Sequence, residues 1–182
     1  MTLLKDKLLI SKSDLTSYRE ISQNITDEKL NIFIREAQVI NVRTFLGVQL
    51  YLRMLNDYDT ATKTFTTQRY TDLWYGIDYT NAESVEVRFN GLMSAAIYFA
   101  YARFLPQQNT NVGRFGVGSL SQDDTERSTV ASVNTNSRQA ATMALAYQKD
   151  CEIFLKDQAS IYPEFGTKTT TGQKLAFNFF KI

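Results

Sequence analysis

Histidine is absent from the 182-residue chain, and cysteine occurs once, at Cys151. Without imidazole there is no histidine general base, no Ser-His or Cys-His nucleophile pair, and almost no route to a zinc site. A single cysteine cannot close a disulfide within the chain, which fits a reducing compartment or an assembly held by packing. An excess of either charge is lacking too: 20 Lys and Arg against 19 Asp and Glu leave a formal net charge of +1. That balance gives no electrostatic case for binding nucleic acid or an anionic membrane. A membrane span needs roughly 18 or more apolar residues, and the uncharged run between Arg88 and Arg103 is closed too early by Asn90 and Arg103. The first ten residues are interrupted by Lys5, Asp6 and Lys7 and do not read as a signal peptide. These gaps point away from catalysis: no catalytic residue, no cofactor and no metal are expected.

What is present is apolar and aromatic. Hydrophobic residues make up 43% and aromatic residues 13% of the chain, enough for the core of one domain. The stretch from Asn90 to Leu105 organises the rest. Leu92, Ala95, Ala96, Phe99 and Ala102 form one stripe, and Met93, Ile97, Tyr98 and Tyr101 cover the other directions. A helix that is apolar all round is a buried one. Asn90 is the expected N-cap and Pro106 the expected stop. Gly91, Ser94 and Ala95 leave one side bare, so a neighbouring helix is expected to approach there.

Ahead of it, residues 1–12 read as an extended arm, and Ser13 caps a short helix running to Ile21. Thr26 caps a long helix whose core face is Leu30, Phe33, Ala37, Ile40 and Thr44, at helical spacing. Ile34, Gln38 and Phe45 lie beside that face; Ile32 and Val39 lie elsewhere and predict a second buried surface. Gly47 ends this helix, and Val48 to Leu55 forms the next. Residues 56–68 read as a polar connector, Arg69 to Tyr75 as a short helix closed by Gly76. Val85, Val87 and Phe89 alternate with Glu86 and Arg88, which predicts a β-hairpin over 77–89 with a half-buried face.

After Pro106 the residues turn polar. A loop over 107–136 is expected, with Phe115 and Val117 as apolar features that could pair as a strand around Gly116 and Gly118. The last helix is expected over 137–159, on a seam of Ala140, Ala144, Tyr147, Cys151 and Phe154. Beyond Gly166 a Thr-rich spacer leads to Leu175, Phe177, Phe179 and Phe180, alternating like a strand. That many aromatics past the last helix call for a partner surface. Gly116-Val117-Gly118 lacks the third glycine and the strand–helix setting of a phosphate loop. Asp123, Asp124 and Glu126 lack the ligand spacing of an EF-hand and read as a solvated turn. Cys151, on its seam, reads as a buried structural thiol.

Three pieces together carry a resemblance. They are I-T-D-E-K-L-N-I-F-I-R-E-A-Q (25–38) followed by F-L-G (45–47), Y-T-D-L-W-Y-G (70–76), and V-R-F-N-G-L-M-S-A-A-I-Y-F-A-Y-A-R-F (87–104); A-Y-Q-K-D-C-E-I-F-L (146–155) follows in order. Over about residues 8–160 the chain resembles the head–tail connector (adaptor, or neck ring) proteins of tailed bacteriophages, closest to those of crAss-like phages. The resemblance implies a structural virion protein, made in the host bacterial cytoplasm and located at the head–tail junction. It implies closed rings, usually twelve-fold, that join the portal protein to further neck or tail proteins. Genome DNA would pass through the lumen without sequence-specific binding, and no membrane would be involved.

The expected fold is mainly α: a helical bundle around the buried helix at about 90–105, with a small β-hairpin, a long polar loop and extended terminal arms. The helical connector domain spans 1–165 and an extended C-terminal arm spans 166–182. The expected protein-interface residues are Phe115, Val117, Leu175, Phe177, Phe179 and Phe180. A different class stays open beside this one, an all-helical ligand-binding or regulatory domain acting as a dimer around an apolar cavity.

Overall fold

A computed structural model describes residues 7–19, 21, 25–107, 110–113, 116–119 and 130–166, with side chains described outside 110–119 and 130–132. The fold is mainly α. In order come α1 (Lys12–Tyr18), then α2 (Asp27–Glu36), which passes through a π-helical turn (Ala37–Val42) into α3 (Arg43–Leu46). Next are α4 (Val48–Asp57), a hairpin of β1 (Tyr58–Asp59) and β2 (Thr64–Phe65), and α5 (Gln68–Tyr75). A second hairpin, β3 (Ile77–Thr80) with β4 (Glu86–Phe89), feeds α6 (Leu92–Phe104), which ends in a 3-10 turn (Leu105–Gln107). The strands β5 (Thr110–Gly113) and β6 (Gly116–Ser119) pair before α7 (Val130–Asp157), and α8 (Pro163–Gly166) is a single short turn. Every strand pair is antiparallel. No helix among the described residues is long and apolar enough to cross a membrane.

α6 is the buried centre that its composition predicts. Leu92, Ala95, Ala96, Ile97, Ala100 and Phe104 are all inaccessible. Each large apolar side chain buried this way contributes roughly 1.5–3 kcal/mol. Its neighbours lie on opposite sides. Tyr98 stacks on Tyr147 of α7 at 5.6 Å, and the Ala102 carbonyl accepts from the Ser137 hydroxyl. Phe104 packs edge-on to Phe33 of α2 at 5.9 Å, and Arg103 donates to the Asn41 side chain of the π turn. At about 100° per residue, the first pair of α6 positions and the second fall on roughly opposite sides of the helix. α2 and α7 are therefore the outer layers and α6 the middle one.

The start of α6 differs from the sequence expectation. Asn90 is exposed and does not cap; Gly91 does, with φ at +82° and no side-chain bond to help. Along its length that bare side meets α7, since Ser94 and Ala95 share the face of Tyr98 and Ala102, and at its start it meets the turn at the end of α5. A Cβ on Gly91 would stand 2.4 Å from the Trp74 carbonyl oxygen, and one on Gly76 would stand 2.3 Å from that of Phe89. Two backbones cross here with no room for a side chain, and the crossing closes the base of the β3–β4 hairpin. Only the Phe89 end of that hairpin is buried, stacked on Phe154 of α7 at 4.3 Å; Val85 is exposed.

The π turn is the feature a straight helical reading misses. Thr26 caps α2 as expected, accepting from the Lys29 amide, and Leu30, Ile34 and Ala37 face the core. The wider turn then inserts about one residue's worth of rotation. The core face moves on to Val42, Phe45 and Leu46, and Ile40 and Thr44, expected inside, are exposed. The same turn carries two buried polar side chains, Gln38 and Asn41. Gln38 reaches the N-terminal segment: its carbonyl oxygen accepts from the Leu9 amide at 2.9 Å, and its nitrogen donates to the Lys7 carbonyl at 2.9 Å and to Tyr51 Oη at 3.0 Å.

Three smaller corrections follow. α1 starts at Lys12, with Ser11 in the capping position and the Asp14 carboxylate accepting from the Ser11 amide at 2.7 Å. The connector 56–68 contains the β1–β2 hairpin, because Tyr58 and Phe65 bury their rings against each other at 5.0 Å. α7 begins at Val130, so the last part of the expected loop 107–136 is helical; its Ser, Asn and Thr residues hid the helix.

Candidate functional site

α8 is the last described element, and a polar clasp holds it. Pro163 opens the turn, a position its fixed φ suits. Glu164 follows, with its side chain only 5% exposed. Arg53 of α4 donates to its carboxylate at 2.5 Å and Arg69 of α5 at 3.1 Å. Arg69 also donates to the Ile161 carbonyl at 2.9 Å and lies 4.6 Å from the centre of the Tyr70 ring. Tyr162 Oη donates back to the Arg69 carbonyl at 2.6 Å, and Phe165 packs on Phe45 at 5.5 Å. Burial pushes the Glu164 carboxyl up, but its own backbone amide and the two guanidiniums outweigh that and hold it below its ordinary value. The carboxylate is held ionised and fully occupied, so its role is mechanical: it fastens α8 to α4 and α5.

The outer faces of the sandwich are the second feature. On α2 and the π turn, Ile32 is 54% exposed, with Val39 and Ile40 beside it. On the solvent side of α7, Met143, Leu145 and Ile153 are exposed apolar side chains, Leu145 to 57%, with the charged Asp150 exposed among them. α2 and α7 both press their inner faces on α6, so these two apolar stripes look outward in roughly opposite directions. Ile32 and Val39 were expected to form a second buried surface; within one chain they are uncovered.

Of the interface residues expected from sequence, Val117 lies in β6, paired with Val112 of β5. Phe115, Leu175, Phe177, Phe179 and Phe180 lie outside the described residues, as do Asp123, Asp124 and Glu126. Cys151 is fully buried on the α7 seam, and burial raises its thiol well above the ordinary value, which leaves it inert. No group of three or more Asp, Glu or Cys side chains among the described residues is placed to hold a metal. The sequence reading missed Arg53, Arg69 and Glu164. Their separations of 111 and 95 residues leave no local pattern to find.

Compared with known proteins, residues 43–173 match the model of a family described as "Family of unknown function (DUF6712)". No curated protein and no solved structure matches the chain.

Proposed function

The chain belongs to the DUF6712 family, whose function is unknown, and we propose that this member is a structural virion protein of a tailed-phage neck. In this reading copies form a ring that joins the portal protein to further neck or tail proteins and surrounds the DNA channel. The observation that carries it is the pair of outward apolar stripes on opposite sides of α6. A patch on one side meeting a different patch on the next copy is a heterologous contact, and such contacts close into rings when the rotation fits. The clasp at Glu164 supports the same reading, since an arm that binds a neighbour must be anchored where it leaves its own body. The sequence resemblance supplies the setting, and a near-neutral chain suits a channel wall along which DNA must slide, because a basic wall would hold phosphates.

The alternative, a dimeric regulatory domain with a ligand cavity around the central helix, has less support. α6 is packed by Tyr147, Phe33 and the α5 turn instead of lining an apolar hollow. Size-exclusion with light scattering and negative-stain microscopy, on the chain alone and mixed with the portal protein of the same phage, tests the proposal. Rings, or binding to the portal, are expected, and both should be lost on Val39→Glu combined with Leu145→Glu. A monomer or compact dimer that ignores the portal would overturn it.

A further inference from the structure

The β3–β4 hairpin is a two-stranded sheet, and no other described strand pairs with either of its edges. Side chains paired across the strands share a face, so Ile77, Tyr79, Val87 and Phe89 lie on one side and Asp78, Thr80, Glu86 and Arg88 on the other. Phe154 of α7 covers the inner end of the apolar side, stacked on Phe89 at 4.3 Å and edge-on to Tyr79 at 5.0 Å. Beyond it Val87 is half-buried, and Val85, which alternation puts on the same side, is 52% exposed. An unpaired edge beside an uncovered apolar side is a template for a further strand.

Charge narrows down which strand fits. Asp78, Glu83 and Glu86 stand in the hairpin against Arg88 alone, and Arg88 is committed to Asp78 through bonds of 2.7 and 2.8 Å. Glu83 and Glu86 make no ion pair among the described residues. Asp157, which accepts from Tyr79 Oη at 2.9 Å, adds negative charge on the apolar side. A matching segment is basic and alternates large apolar residues with others. Residues 174–181 of this chain, K-L-A-F-N-F-F-K, carry that pattern, and after Glu164 the chain holds Lys168, Lys174 and Lys181 with no acidic side chain.

We propose that residues 174–181 of one copy add as a third strand to the β4 edge of the hairpin on a neighbouring copy. The inference rests on the neck-ring reading and names the surface that receives the arm. β4 is the edge because Val87, Glu86 and the adjacent Val85 lie along it. Leu175, Phe177 and Phe179 continue the apolar side past Phe154, which puts Lys174 on the side of Glu86. Main-chain bonds to the edge supply affinity and the alternate side chains supply specificity. Reach assigns the contact to a neighbour. Tyr162 already lies 5.7 Å from Phe154, so an arm returning to its own hairpin would need little spacer. Residues 167–173 span up to about 25 Å when extended, close to the width of a small domain.

Cross-linking of the full chain tests the contact. Val85→Cys and Asn178→Cys are introduced together and treated with a short bismaleimide, which tolerates a shift of register; Cys151 is buried and unreactive. A ladder of covalent multimers is expected on a denaturing gel, with mass spectrometry showing links between positions 85 and 178. Adding Glu83→Lys and Glu86→Lys should lower the linked fraction about tenfold, the effect of roughly two ion pairs. Adding Lys174→Glu and Lys181→Glu to that chain should restore most of it. Positions 83, 85 and 86 are exposed, so these changes leave the fold intact. Negative-stain micrographs of the same samples separate this contact from the ring reading: a ladder without rings supports the contact and counts against the ring, and rings without a ladder do the reverse. No ladder, links confined to single chains, or a ladder undiminished by the charge change would overturn the proposal.

Discussion

At the scale of single residues, Glu164 links stability to pH. Its carboxyl titrates below the ordinary value in the folded chain, so the stability it contributes is present above the usual carboxylate range. That contribution is lost as pH falls through the folded value. Glu164→Gln should lower stability at neutral pH by roughly 2 kcal/mol, because it removes charge-assisted bonds to two guanidiniums. The gap between variant and wild type should begin to narrow as pH falls below about 4, the ordinary carboxylate range, and close only below the depressed folded value. Thermal melts of both proteins across pH check this, and a gap that stays constant down to pH 3 would show that the charge is not what holds α8. Glycine gives a second comparison. Gly47 and Gly91 have nearly the same backbone, φ +80° and +82°, but nothing lies within 4 Å of a Cβ on Gly47. Gly47→Ala should therefore cost only the backbone strain, about 1–3 kcal/mol. Gly91→Ala adds a clash with the Trp74 carbonyl that backbone must move to relieve, and should give no folded, soluble protein. Equal melting temperatures for the two variants would mean the crossing is looser than described.

The elements themselves show what a sequence can carry. Helices with a one-sided or all-round apolar pattern were legible: α4, α5 and α6 fall within a residue or two of their expected bounds, and Gly47 and Gly76 end the helices they were expected to end. So was the 77–89 hairpin, from its alternation. The π turn was not, because nothing in A-Q-V-I-N-V marks a widened turn; its cause is tertiary. Gln38 and Asn41 are drawn inward to meet the N-terminal segment and Arg103, and the bonds they gain there outweigh the regular spacing. α7 extends into polar sequence because its later turns are fixed by Tyr147, Cys151 and Phe154, and the helix propagates back from them at little cost. The clasp was illegible for the same reason as the π turn. It joins three distant segments through side chains that look, one at a time, like ordinary surface charge.

For the whole molecule, the proposed C-terminal arm sets the next expectation. The body's buried residues run through Tyr162 and Glu164, so removing residues 167–182 should leave the helical content unchanged by circular dichroism. The same truncation should reduce ring formation or entry into virions, seen by electron microscopy; truncated chains that assemble normally would exclude the arm as a connector. The opposite end behaves differently. Residues 7–10 lie in a groove of the body, with Leu9 and Ile10 buried and Gln38 bonding the backbone on both sides of Leu8. Lys7 adds two bonds, from its ammonium to the carbonyls of Leu55 and Tyr58. Nothing in that arrangement requires a covalent link to α1: the body holds its own leading residues as a receptor holds a peptide. The chain is therefore expected to tolerate a cut between this segment and α1. A body starting at Lys12 should be partly destabilised and should recover when a synthetic peptide of residues 1–11 is supplied in trans, with the gain rising with peptide concentration. Gln38→Ala should abolish that rescue. A cut protein that melts like the intact one, or that ignores the peptide, would show the segment to be mere covering, whereas successful rescue would make assembly switchable by an added peptide.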